Sequence, residues 1–357
     1  MTMMGFMSLP NIKKTMDRGN ETMNISTDKT IEEQLLLKEL EKHTRSIAHL
    51  GHVEIGVTDL EKSLWFFTEV MGLYVSADEG ERVYLRAWQD FDHHTLILKK
   101  SDTSGVKQVG WRVSSEKALK AFEKQFKDMG IEHQWIEAGQ KKAQGDSIQF
   151  KSPAGLPVEL YWEKDLYVNT DPSIASKLPS HPSKYTGKGV APRRFDHVNF
   201  MVNDVEEEQK WWSDLLGIHH RYYVQNQEDV RIGSWLSRTN IAHEIALMRN
   251  ANQDGALFHH LAYYLDSPDE LIRAANLMAE NDIKIEWGPG KHGTSGAQFI
   301  YVIEPSGNRV EIWTGGFLIF APDWEPIEWS PEVGLLGLDL WGSVAPESYF
   351  KYGTKLL

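Results

Sequence analysis

Glu311 sits between Val310 and Ile312 in a stretch, 309–313, that reads as a strand. On a strand its carboxylate points to the face opposite those two apolar neighbours. Buried there without a partner it would be costly, and a metal ion would remove the cost. An internal repeat shows which residues could join it. Gly51-His-Val-Glu-Ile-Gly-Val-Thr-Asp-Leu-Glu61 matches Asp196-His-Val-Asn-Phe-Met-Val-Asn-Asp-Val-Glu206 almost position for position. Gln108-Val-Gly-Trp111 matches His260-Leu-Ala-Tyr263, and the run ending Val-Glu159-Leu matches the run ending Val-Glu311-Ile. The later copy therefore holds His197, His260 and Glu311 where the earlier copy holds His52, Gln108 and Glu159. Two imidazoles and one carboxylate leave one face of a metal open, the donor set of non-haem Fe(II) sites that activate oxygen. A lone His on a half-buried strand is ordinarily a satisfied structural residue. Three donors at matching repeat positions, each from a different strand, are not explained that way. The earlier trio lacks the middle imidazole and is expected to be structural.

The repeat also sets the architecture. Each half reads as two strand-helix-strand-strand-strand units. In the first unit of each half, an alternating strand leads to an Asp that can cap a helix (63–71; 207–216). Gly72 and Gly217 then give the C-terminal stop. In the second units the helices are expected over 116–129 and 268–281. The stretch 288–313 reads as a glycine-rich loop carrying His292, a strand over 298–303, the turn Glu304-Pro-Ser-Gly307 and the strand that bears Glu311. The expected domains are an N-terminal extension (1–45), a first domain (46–170), a second domain (193–320) and a tail lying over the second domain (321–357). Residues 171–192, rich in Pro, Ser, Lys and Gly, form the linker. A capping box at Thr30-Ile-Glu-Glu33 predicts a helix over 31–43.

Composition narrows the chemistry. The chain has 357 residues and a net charge of -13, which argues against nucleic acid or an anionic membrane surface as partner. No run approaches a membrane span. Cysteine is absent, so any metal must sit on His and carboxylate, favouring Fe(II), Mn(II) or Zn(II). The segment 1–10 has no basic leader and is not read as a signal peptide; a cytoplasmic protein is expected.

Asp196-His-Val-Asn199, Phe258-His-His-Leu261 and the stretch 288–313 with Tyr301 and Glu311 resemble the type I extradiol ring-cleaving dioxygenases of the vicinal oxygen chelate superfamily. The resemblance covers roughly residues 48–349, the first half matching the non-catalytic domain of these enzymes. It implies an α+β fold, the duplicated vicinal oxygen chelate (glyoxalase/bleomycin-resistance-like) fold of four βαβββ modules in two domains. It implies Fe(II), less often Mn(II), on His197, His260 and Glu311, with His259 a neighbour and not a ligand. It points to His243 as the acid–base group and to Tyr301 as a hydrogen-bond partner of a substrate oxygen. Asn199, Trp235 and His292 match pocket positions. Chemistry supports the two central roles. A catechol must lose a phenolic proton to bind, and an imidazole tuned near neutrality suits that; a tyrosine hydroxyl can orient the oxygen. The implied reaction is cleavage of catechol or alkylcatechols beside the diol by dioxygen, giving 2-hydroxymuconic semialdehydes. Such enzymes are commonly homotetramers, so a homo-oligomer is expected.

Departures from the family pattern bear on substrate. Members that cleave homoprotocatechuate carry arginines for its carboxylate, and the aligned positions here are Trp287, Gly337 and Leu338. A buried carboxylate would lack its bidentate partner, so a neutral catechol is expected. Other readings are a 4-hydroxyphenylpyruvate dioxygenase-like enzyme, whose ligands lie further apart along the chain, a glyoxalase-like isomerase, and a module of the same fold that sequesters an aromatic ligand without reacting it.

Overall fold

The computed structural model describes residues 46–357; the helix expected over 31–43 lies outside them. The first half forms one sheet from β1 (Ile47–Val57), β2 (Tyr74–Asp78), β3 (Arg82–Arg86), β4 (Leu96–Lys100), β5 (Gly105–Val113), β6 (His133–Ile136), β7 (Ser147–Lys151) and β8 (Pro157–Tyr161), ordered β2-β3-β4-β1-β5-β8-β7-β6. The second half repeats the plan with β9 (Arg194–Val202), β10 (His219–Gln225), β11 (Arg231–Ser237), β12 (Ile245–Arg249), β13 (Leu257–Leu265), β14 (Ile285–Lys291), β15 (Gln298–Ile303) and β16 (Arg309–Thr314). Its order is β14-β15-β16-β13-β9-β12-β11-β10, with β17 (Ile327–Trp329) added beside β10. Each group of four strands takes one helix after its first strand: α1 (Leu60–Trp65), α2 (Glu116–Met129), α3 (Val205–Leu216) and α4 (Pro268–Glu280). Four βαβββ modules result, as the repeat predicts.

The helices begin and end where the local chemistry directs. Asp59, Ser115, Asp204 and Ser267 each accept a hydrogen bond from a backbone N–H of the first turn. Gly130 and Gly217 close α2 and α3 in the left-handed conformation. The helix expected over 63–71 differs: α1 passes at Phe66 into a π-helical turn, Phe66–Val70, that buries Phe66, Phe67 and Val70. The helices cover one face of each sheet with core side chains; Ala118, Leu119, Phe122 and Phe126 of α2 sit at the i, i+3, i+4 spacing that makes such a face. Trp111 of the first half and Trp212 of the second pack with ring centroids 5.5 Å apart, so the core is continuous.

The tail meets the second sheet through β17 and through Trp324, whose indole N–H donates to the Arg221 carbonyl. It then goes further than the sequence suggests. A short helix α5 (Glu347–Lys351) buries Tyr349, and β18 (Lys355–Leu356) pairs with β5 of the first sheet. Among the described residues no helix is long and apolar enough to cross a membrane.

Candidate metal centre

Register places the donors. On β9, Val198, Phe200 and Val202 face the core, while His197 and Asn199 face the cavity. On β16, Val310 and Ile312 face the core and Glu311 the cavity. Pairing sets His197 opposite Ala262, Ala262 opposite Glu311, Glu311 opposite Tyr301 and Tyr301 opposite Trp287. His260 joins them through a bulge in β13. The pairing slips between Phe258 and His260, so Phe258 stays in the core while His260, two residues on, is turned into the cavity.

The three side chains meet. His197, His260 and Glu311 are all buried, with ligating atoms within 4.8 Å of one another. Glu311 Oε2 lies 2.8 Å from His197 Nε2 and 3.1 Å from His260 Nε2, and the two nitrogens are 3.3 Å apart. Asp196 Oδ2 accepts from His197 Nδ1 at 3.0 Å, which leaves Nε2 to face the carboxylate. Burial opposes charge on His197, but the hydrogen bonds to Asp196 and Glu311 outweigh it and hold its pKa up at about 9. Burial alone would raise Glu311; its contacts with His197, His260 and His292 instead hold it well below the usual carboxylate range. Burial brings His260 down to about 4. The site thus buries a carboxylate between two imidazoles, and among the described residues its second oxygen, Glu311 Oε1, has no hydrogen-bond partner. A divalent cation answers all of this at once. The set is N/O with no thiolate, which fits Fe(II) or Mn(II).

The remaining predicted residues ring the same cavity, of about 500 Å³, whose walls include Val224, Ile232, Trp235, Met248, Leu338 and Phe350. Asn199 is buried, and its Oδ1 has no hydrogen-bond partner among the described residues. Trp235 stacks on Tyr222, centroids 5.0 Å apart and 14° between planes, whereas Trp88 of the first half packs on His181 and Tyr185. Tyr301 hydroxyl lies 3.0 Å from His292 Nε2. His292 Nδ1 donates to the Leu338 carbonyl at 2.6 Å, and its Nε2 also lies 3.5 Å from Glu311 Oε1. Burial keeps the Tyr301 phenol protonated, its pKa well above 10.

His243 differs from the sequence expectation of an imidazole tuned near neutrality. Burial first, then the charge of His197 beside it, pushes its pKa well below the ordinary value. Its ring lies 4.2 Å from that of His197, and its Nδ1 is 2.7 Å from Tyr222 Oη. Tyr222 was not foreseen, because its strand shows no signal beyond aromatic content. Asp196 stood in plain view in the Asp-His pair. Tyr349, which enters the cavity wall from α5, comes from a tail without periodicity.

Comparisons with known proteins agree with this geometry. The family described as the Glyoxalase/Bleomycin resistance protein/Dioxygenase superfamily matches residues 194–312, and the Catechol 2,3-dioxygenase-like N-terminal domain matches residues 107–165. The chain is 40% identical over 288 residues to a manganese-dependent 2,3-dihydroxybiphenyl 1,2-dioxygenase of Geobacillus genomosp. 3, covering 80% of this chain and 91% of that one. It is 37% identical over 310 residues to a metapyrocatechase of Geobacillus stearothermophilus, covering 86% and 94%. Among solved structures, the homoprotocatechuate 2,3-dioxygenase of Arthrobacter globiformis superposes with a TM-score of 0.78 at 28% identity, over 88% of this chain and 93% of that one. Relatives this similar over this much of their length, with the His-His-Glu cluster built by the same duplicated fold, show that the chain belongs to the type I extradiol ring-cleaving dioxygenases of the vicinal oxygen chelate superfamily.

Proposed function

We propose that this extradiol dioxygenase cleaves a neutral catechol, unsubstituted or alkylated, beside its diol to give a 2-hydroxymuconic semialdehyde. His197, His260 and Glu311 would hold Fe(II) or Mn(II), which when bound there would supply Lewis-acid chemistry to the catecholate and an electron conduit between ring and dioxygen. His243 acts as the proton carrier. In the tautomer that donates Nδ1–H to Tyr222 Oη, 2.7 Å away, Nε2 presents a lone pair to a phenolic proton and can later return that proton. Burial favours the neutral form of His243, the form that can accept a proton from the substrate. Tyr301 orients a substrate oxygen in this reading, supported by its 3.0 Å contact with His292 beside the donors. Asn199 Oδ1 offers a buried acceptor, and Trp235 and His292 border the ring.

The observation carrying the substrate reading is the neutrality of the wall where a carboxylate would be received. Trp287 is buried with its indole N–H given to Ser343 Oγ, and Gly337 and Leu338 bring no charge. Arg249 is the one arginine or lysine in the described lining; its guanidinium faces the Gln253 side-chain amide. The apolar volume beyond the donors gives room for an alkyl substituent. The test compares kcat/KM for catechol, 4-methylcatechol and homoprotocatechuate on metal-loaded enzyme, read from the yellow ring-opened product. Homoprotocatechuate is expected to be at least about tenfold poorer, the scale of one missing charge-assisted hydrogen bond. Faster turnover of homoprotocatechuate than of catechol would overturn the reading. A metal-loaded protein that binds catechol and gives no product in air would instead support sequestration.

A further inference from the structure

We infer that His259 and the backbone carbonyl of Tyr349 set the tautomer of the ligand His260, and that Arg309 holds that carbonyl in place. The Tyr349 carbonyl can only accept a hydrogen bond. His259 Nε2 lies 2.8 Å from Tyr349 O, so that nitrogen carries a proton and donates it. His259 is wholly buried, with the Arg309 guanidinium bonded to its own carbonyl, so a second proton on its ring would place a charge beside a charge. A singly protonated His259 that donates from Nε2 has a lone pair at Nδ1. His260 Nδ1 lies 2.6 Å from that lone pair and must be the donor. His260 then has its lone pair at Nε2, the atom that faces Glu311 Oε2 at 3.1 Å. At His197 the Nδ1 contact is direct, to Asp196 Oδ2 at 3.0 Å. The two ligands are therefore prepared differently: one by a carboxylate on its own strand, the other by a relay ending in the C-terminal segment.

The far end of that relay is fastened. Arg309, fully buried on β16, bonds both oxygens of Glu286 at 2.6 and 2.9 Å. Its remaining donors reach the carbonyls of His259 at 3.2 Å, Tyr352 at 2.9 Å and Ser348 at 3.1 Å. Ser348 and Tyr352 bracket Tyr349, so one guanidinium ties the turn presenting the carbonyl to the strand carrying the two histidines. The Tyr349 ring packs edge-on against His259, centroids 4.7 Å apart, and closes the gap between them to solvent. His259 is thus a positioning residue, and the tail is a structural part of the metal centre as well as a wall of its cavity.

This rests on the assignment of the metal to His197, His260 and Glu311, and the experiment separates the two. Metal-free full-length protein is titrated with Mn(II) alone, and free Mn(II) is counted by electron paramagnetic resonance. The parent, His259→Phe and His259→Gln are compared, with circular-dichroism melting to confirm folding. Phe removes both ring nitrogens. Gln keeps an amide N–H for the Tyr349 carbonyl and an oxygen to accept from His260 Nδ1. His259→Phe is expected to weaken Mn(II) binding by roughly 10- to 100-fold, the effect of losing a group that orients a ligand, and His259→Gln to return it to within about threefold of the parent. Should the Phe variant not fold, His259→Met removes the same nitrogens at similar volume, and the same outcomes apply. Unchanged affinity in the Phe or Met variant, or a Gln variant no better than these, overturns the relay. A parent that takes up neither Mn(II) nor Fe(II) overturns the metal assignment beneath it.

Discussion

The same row of four positions crosses both sheets. In the second it reads His197, Ala262, Glu311, Tyr301; in the first it reads His52, Gly110, Glu159, Gln149. In the first half the carboxylate is answered from within the chain. Lys141 Nζ lies 2.6 Å from Glu159 Oε1, Ser147 Oγ donates to the same oxygen at 2.7 Å, and His52 Nε2 is 3.3 Å from Oε2. Gly110 lets the His52 ring lie across it; a Cβ there would come within 2.1 Å of that ring. Lys164 fills the space beside His94, 2.7 Å from its Nε2. In the second half neither lysine nor arginine forms an ion pair with Glu311 among the described residues; its partners are His197, His260 and His292. A buried carboxylate at this register position requires positive charge nearby. One half supplies a lysine ammonium, and the other gathers imidazoles around the carboxylate, a set that can share a metal cation.

Exchanging the carboxylates tests this most directly. Glu311→Ala is expected to leave no metal after desalting and no measurable ring cleavage. Glu159→Ala is expected to keep the parent's metal content and turnover while losing roughly 3 kcal/mol of stability in urea unfolding, since it leaves Lys141 and His52 without their partner. Equal metal loss in both would mean that the halves do not differ as described. The two repeat-related histidines give a smaller contrast. His243→Asn should lower kcat by about 10²- to 10⁴-fold, the range for a lost proton carrier, with metal retained. His94→Asn, which removes a partner of Lys164, should leave kcat unchanged.

Much of this contrast was legible in the sequence because duplication supplies its own control. The strands, the cap Asp204 and the stop at Gly217 follow from period and turn chemistry, and the structure repeats them. The trio was readable because His197, His260 and Glu311 fall at matching positions of a repeat. What stayed hidden depends on contacts remote in sequence. Lys141 and Lys164 lie in loops that read as solvated charge, yet both turn onto the buried row. Tyr222 reaches His243 only through the pairing of β10 with β11, and Tyr349 reaches His259 only after the tail has crossed the sheet. The bulge that turns His260 inward also has no local marker, since neither Gly nor Pro stands at Phe258-His-His-Leu261.

The smallest expected effect sharpens the account of the first half. Burial brings the Lys164 pKa down to about 7, against an ordinary value near 10.5; Glu159 and Asp92 offset only part of this. Between those two values the unfolded chain binds a proton that the folded chain does not, so this residue makes stability rise with pH across that window. Below about pH 7 the full penalty for the buried ammonium is present. Lys164→Met removes the group and its slope, and contributions from the second half cancel between the two proteins. At pH 7 the variant should therefore gain relative to the parent, and the gap should narrow by roughly 2 kcal/mol on going to pH 9, following about 1.4 kcal/mol per unit of pH. Urea unfolding followed by circular dichroism at pH 7, 8 and 9 reads this directly. A gap that does not move would mean that Lys164 stays charged when buried. The first half would then answer Glu159 with two ammonium groups instead of one, and a vestigial site so strongly cationic would have no means of accepting a metal even if its missing imidazole were restored.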